Sequence, residues 1–307
     1  MIDFRYHLVS LISVFLALAV GVVLGAGPLQ NSLGTALNDQ VSALREDRNA
    51  TQARLEQTET AVNERDDYII QAAAQYLPGK LSGKSVALVL LPGANSEDAQ
   101  AVVAQLEAAG ATINGRYTLS SAWVDASRET FRSTYSAQFA GNLGTPASSD
   151  TNAILGEGLG RALTGTDASA STLMSLLTAS DTPLVTVDAQ ASGPATMIAV
   201  VGPRPEEDPG AQATARATQA STPSVWAQAL SGTAAAAPTV VVGQARTETG
   251  VVALIRSAGA SVTTIDSVGQ ATAAVSTPLA LVSTEAGTRS HYGFDDGAQA
   301  VIPPMAG

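Results

Sequence analysis

The 307-residue chain contains no cysteine, so disulfide frameworks, zinc–thiolate centres, iron–sulfur clusters and thiol nucleophiles are excluded. Lysine is confined to Lys80 and Lys84, and the formal net charge is −11. That balance lacks the basic footprint that a phosphate backbone demands, which argues against a nucleic-acid partner. Aromatic residues make up 4% and charged residues 14%, and the chain has two histidines, His7 and His291. What replaces them is alanine, valine and small polar residues, in a chain long enough for one or two domains plus appendages.

One stretch is conspicuously apolar. Leu8 to Leu24 carries no charge, and Leu8 to about Gly27 is long enough to cross a hydrocarbon core of ~30 Å at ~1.5 Å per residue. Ser10 and Ser13 can return their hydroxyls to carbonyls one turn back, and Gly21 and Gly25 stand at a small-xxx-small spacing. Arg5 precedes the span and the next lysine or arginine is Arg45, which predicts a cytoplasmic N-terminus, an inner (plasma) membrane anchor and an extracytoplasmic bulk in the cell envelope. A cleaved secretory signal ending near Leu24-Gly25-Ala26 is the alternative.

Beyond the span, apolar residues step by three and four. Leu37, Val41, Leu44, Leu55, Val62 and Ile69 fall on the core positions of a heptad, with Arg48 and Arg65 on the same seam. No glycine or proline interrupts Thr35 to Leu77, and Leu77-Pro78-Gly79 closes the run. This predicts a coiled-coil stalk over 29–78, following a tip and transmembrane helix over 1–28. Polar seam residues set register or partner choice, so the stalk is expected to join itself, a membrane protein partner, or both.

Residues 79–307 read as an α/β domain. Ser85–Leu91 is a continuous apolar run between Gly83 and Pro92-Gly93, as a strand buried on both faces requires. A helix capped at Ser96 and ended by Gly110 follows, then a strand from Ala111. The same grammar recurs at Thr239–Gly243, a helix through Val251 and Ile255, Gly259, and a strand at Val262–Ile265; LEAAGATI and LIRSAGASV share the strand–helix–strand idiom rather than requiring a duplication. Leu184–Val187, Met197–Val201 and Leu279–Val282 are further strand candidates, residues 123–180 read as covering helices, and 203–222 as a mobile surface loop. The sum is a Rossmann-like, mostly parallel sheet with helices on both faces.

Catalytic signatures are missing from that domain. Pro92-Gly93-Ala94-Asn95 after the first strand offers neither G-x-G-x-x-G nor Gly-Lys-Ser/Thr, Gly156, Gly158 and Gly160 suit helix packing, and no G-x-S-x-G elbow is present. No catalytic or cofactor-binding residue is assigned, and the chain reads as a non-enzyme. The metal candidates are His291, Asp295 and Asp296, with Glu285 upstream, although zinc and copper(II) sites converge several ligands. Met174, Met197 and Met305 are scattered rather than arranged as a copper(I) cluster.

The N-terminal block MIDFRYHLVSLISVFLALAVGVVLGAGPL and the tail SHYGFDDGAQAVIPP resemble those of the actinobacterial MctB family of copper transport outer-membrane proteins, and the order of parts is similar along the whole chain. The resemblance implies a role in copper efflux or homeostasis in the envelope. It also implies a second role, that of SteB-like members, which join a membrane partner, SteA, to promote peptidoglycan hydrolase activity in cell separation. An outer-membrane pore needs a closed barrel of alternating strands, and this chain instead shows one apolar helix and buried strands. The expectation is therefore a bitopic assembly protein supporting cell separation, with copper transport as the alternative and copper as a possible ligand.

Overall fold

The computed structural model describes residues 4–179, 181, 183–204 and 223–305. Two compact units divide it, Met1–Glu64 and Arg65–Gly307.

The first unit belongs to a single helix, α1 (Phe4–Ala73). Its Phe4–Gly25 segment spans 22 residues at a mean hydropathy of 2.7, with none of them buried. Leucine, valine and phenylalanine side chains all round this segment face outward, which a lipid environment satisfies and water does not. Ser13 Oγ donates to the Val9 carbonyl at 2.9 Å, the one-turn return its position predicted.

The second unit is built on a sheet of order β3-β2-β1-β4-β5-β6-β7. The strands are β1 (Ser85–Leu90), β2 (Thr112–Leu119), β3 (Val185–Ala189), β4 (Met197–Val201), β5 (Thr239–Val242), β6 (Thr263–Ile265) and β7 (His291–Tyr292). Every neighbouring pair is parallel except β2 with β3. The order 3-2-1-4-5-6 follows that of a doubly wound sheet, with β3 reversed, and its winding changes direction between β1 and β4. Helices α2 (Ser96–Ala108), α3 (Glu129–Leu143), α4 (Thr151–Thr164), α5 (Ala168–Thr178), α6 (Pro223–Ala236), α7 (Val251–Ser257) and α8 (Ala271–Glu285), with short 3-10 turns at Ser121–Trp123 and Ala126–Arg128, complete the described elements.

Because strand side chains alternate, each central strand feeds two cores. Ala87, Val89, Ile198, Val200 and Val241 face a core with Trp123, Phe139, Leu155, Leu230 and Ile255. Val86, Leu88, Met197, Ala199, Val240 and Val242 face the other, with Leu77, Leu106, Leu279 and Tyr292. Both faces are dry, so the strands read as unbroken apolar runs. The first core also holds a stacked pair, Trp123 and Trp226, at 6.2 Å, and Trp123 Nε1 donates to the Leu184 carbonyl at 2.9 Å.

The glycines of α4 act in packing. A Cβ on Gly156 would stand 1.8 Å from the Ala229 carbonyl oxygen of α6, and one on Gly232 2.0 Å from that of Ala153, so these helices touch backbone to backbone. The two strand–helix–strand units end their helices alike: Ala111 N donates to Leu106 O and Ala260 N to Ile255 O, with Gly110 and Gly259 at φ 92° and 62°.

Several expectations need correction. Leu279–Val282 lies within α8, whose buried residues occur all round the helix, and so short an apolar run does not separate a buried strand from a buried helix. The cap of α2 is Asn95, whose side chain accepts from Glu97 N at 2.7 Å, rather than Ser96. The helix of the stalk stops at Ala73, and Gln75 and Tyr76 tighten into three-residue turns before Pro78 is reached. Ala73 and Leu77, at the end of the expected stalk, are buried in the second core, with Ile69 packed against it. The short strand β7 was not foreseen. The proposed surface loop lies, from residue 205 on, outside the described residues.

Candidate functional site

In an open sheet of this order, ligands bind beyond the carboxyl ends at the point where the order reverses. Here that point lies between the loops after β1 and β4. Gly93 at φ 79° turns the first loop, and a Cβ there would sit 3.6 Å from Pro203 of the second. Arg204, the next residue, grips Asp98 through two bonds, Nε to Oδ2 at 2.8 Å and Nη2 to Oδ1 at 2.6 Å, and lies 3.9 Å from Glu97. Asp98 is 4% exposed. The N-terminus of α2, where a doubly wound fold would hold a pyrophosphate, is thus answered by the chain's own Asn95 side chain and by two acids. A cavity of about 230 Å³ opens beside this pair, lined by Asp66, Ile70, Glu97, Arg204, Gly269 and Ala274 among others. Acids facing that cavity disfavour an anionic phosphate group.

The second cluster is the one the sequence singled out. Asp266, fully buried at the end of β6, accepts from Ser267 Oγ at 2.8 Å, from the amides of Phe294 and Asp295 at 2.9 and 3.0 Å, and from Arg256 Nη1 at 3.1 Å. Arg256, 5% exposed, also donates to the carbonyls of Tyr292 and Asp296, both at 2.9 Å. This clamp fastens the tail to the sheet. Gly293 (φ 128°) is required beside it, because a Cβ would fall 1.9 Å from Asp266 Oδ1.

His291 joins this structure at its rim. Its Nδ1 shares a 2.9 Å hydrogen bond with Thr264 Oγ1, and its pKa is lowered from the ordinary value, first by burial and then by the charge of Arg256. A nearby guanidinium opposes a bound cation as it opposes a proton. Asp295 and Asp296 meet the clamp through their backbones, and Glu285 pairs with Lys84. Among the described residues no three His, Cys, Asp or Glu side chains converge at metal-binding distance. Met197 is buried in the second core, Met174 borders the first, and Met305 is exposed.

The stalk residues stand on α1. Leu37, Val41, Leu44 and Leu55 are exposed, as are Arg48 and Arg65, while Val62 and Ile69 are half-buried. Sequence reasoning missed both ion pairs that shape the α/β unit. Asp98 and Arg204 lie 106 residues apart, and no local pattern links them; Arg256 and Asp266 flank a recognisable helix–strand turn, whose spacing was the one usable sign.

These features define a class: a membrane-associated α/β protein with one apolar N-terminal helix and a seven-stranded, mostly parallel sheet. The family model described as copper transport outer membrane protein, MctB, matches residues 1–303, and the chain belongs to that family. Proteins named copper transporter MctB from Mycobacterium tuberculosis and Mycobacterium bovis are 34% identical over 141 residues, and that of Mycobacterium leprae is 34% identical over 134. The match spans 43% of this chain and 43%, or for the last 42%, of the relatives' own length.

Proposed function

We propose that the chain serves copper transport and homeostasis at the cell envelope as a non-enzymatic, membrane-anchored assembly protein, with copper as the cargo of the system it joins. The family match over residues 1–303 carries this reading. The geometry speaks to its mode. Transport through a barrel needs strands that alternate between lipid and lumen, whereas β1, β4 and β5 are buried on both faces. The chain therefore works beside a conduit rather than as one, anchored in the inner membrane with its N-terminus cytoplasmic and its α/β unit outside. It assembles through the heptad face of α1, with itself and with a membrane partner.

The test is deletion of the gene, followed by measurement of cell-associated copper and growth across a copper series, with complementation by the full chain and by His291→Ala. Deletion raises cell copper, and both versions restore it. Restoration by the parent chain alone would move the role to direct ligation at His291, and unchanged copper would overturn the proposal.

A second reading, support of cell separation with a SteA-like partner through control of a peptidoglycan hydrolase, is favoured by the exposed face at Leu37, Val41, Leu44 and Leu55. Chains of unseparated cells at normal copper content would select it.

A further inference from the structure

We infer that residues 37–58 of α1 pair with the same segment of a second copy as a parallel, in-register coiled coil in which Arg48 of each copy is neutralised by Asp47 of the other. The inference rests on the assembly reading above and gives it a partner and a register.

The apolar face comes first. Leu37, Val41, Leu44 and Leu55 are exposed by 60, 42, 67 and 57%, on one heptad stripe of a helix that no described element covers in its own unit. The stripe has an end: Ile69, two heptads past Leu55, packs against the second core of the α/β unit, so the free seam lies before it. Among the described residues neither Arg48 nor Asp47 has an ion-pair partner within the chain.

Charge then selects the occupant. With Val41, Arg48 and Leu55 at the first core position, the position preceding each holds Gln40, Asp47 and Arg54, and Arg45, Gln52 and Glu59 flank the other side. In a parallel in-register pair a first-core residue meets the preceding flank of its neighbour, and each preceding flank meets the opposite flank five residues on. Arg48 therefore meets Asp47 of the second copy, and Arg54 meets Glu59. Gln40 against Arg45 and Asp47 against Gln52 bring no like charges together. The two Arg48 side chains share a layer, and their long stems carry the guanidinium groups outward to those acids. A slip of one heptad loses both Arg48–Asp47 contacts and sets Asp47 against Glu59 and Arg48 against Arg54 on one side, while it brings Asp47 to Arg45 on the other.

The anchor fixes direction. α1 is continuous from Phe4 to Ala73, so copies held in one membrane leave it pointing the same way. A one-heptad slip would displace one anchor by ~10 Å relative to a hydrocarbon core of ~30 Å.

The absence of native cysteine makes the test direct. Full-length single-cysteine variants in membranes, oxidised with diamide, are read as disulfide-linked dimer on a non-reducing gel. Leu44→Cys and Leu55→Cys, on the seam, link several-fold more than Glu46→Cys and Ala53→Cys, on the outward face. Adding R48E to Leu44→Cys abolishes the link, D47R with R48E restores it, and R48L retains it in detergent concentrations that dissociate the parent. Equal linkage at seam and outward positions, no linkage at any, or indifference to R48E would overturn the pairing. The readout is contact between two copies and not copper content, so pairing and copper function fail separately.

Discussion

Breaking the buried pair Arg256–Asp266 should cost far more than breaking the shorter but exposed pair Arg161–Asp167. Replacing Arg256 by Met leaves the Asp266 carboxylate, fully buried, with its amide and hydroxyl donors but no counter-charge, and strips donors from the carbonyls of Tyr292 and Asp296. Side-chain exposures of 5% and 0% leave no solvent to screen the loss. Breaking one half of such a pair costs about 3–5 kcal/mol. For a unit of this size that corresponds to a fall in Tm of roughly 6–20 °C. Arg161 and Asp167 approach to 2.7 Å, yet each side chain is 47% exposed. Arg161→Met should move the midpoint far less, because water already solvates both charges. Trp123 and Trp226 are the chain's two tryptophans and both sit in the first core, so their fluorescence follows unfolding of the α/β unit in the full-length protein without interference from α1. The reasoning is refuted if Arg256→Met moves the midpoint no further than Arg161→Met does.

Four further outcomes are expected. Gly293→Ala, which drives a Cβ to 1.9 Å from Asp266 Oδ1 at a backbone angle that disfavours side chains, should lower the same midpoint sharply, whereas Gly83→Ala, whose Cβ would meet nothing within 4 Å, should lower it less; equal effects would refute the clash. Gly156→Ala must push α4 off the Ala229 carbonyl and should cost about 1–3 kcal/mol or more, which urea unfolding at unchanged slope would record. His291 has a lowered pKa, so the folded state favours the neutral ring; its contribution is complete above pH 6.5 and is lost as pH falls through that value towards the folded pKa. His291→Gln should flatten that part of the Tm profile on the acid side, and a slope as steep as the parent's would count against the assignment. Calorimetric titration of the full chain with copper(II), and with copper(I) under anaerobic conditions, should show no stoichiometric uptake that His291→Ala removes; tight one-to-one binding lost in that variant would establish the metal reading.

Legibility followed locality. β1, β4 and β5 could be read because SVALVL, MIAVV and TVVV are unbroken apolar runs, the signature of strands dry on both faces. The same rule misread Leu279–Val282, since α8 is buried all round and presents an equally unbroken run. β7 carried no signal: two residues become a strand because Thr264 and Ile265 provide a parallel register for His291 and Tyr292, and the tail doubles back so that Gln299 N donates to the His291 carbonyl at 2.8 Å. His291, Asp295 and Asp296 are metal candidates because imidazole and carboxylates lie close in sequence. The fold spent the backbones of the two acids on Arg256 and Asp266 and turned one ring nitrogen of the histidine to Thr264.

Sequence alone determined the apolar N-terminal helix, the heptad stripe with its arginines and the alternation of strand and helix, because each is a local pattern that neighbouring residues impose on one another. Tertiary structure decided the strand order, the pairing of Arg204 with Asp98 beside the β1–β4 loops, and the clamping of the tail by Arg256 and Asp266. Those depend on charges brought together from distant segments or buried where water no longer screens them, and burial is a property that only the assembled cores confer.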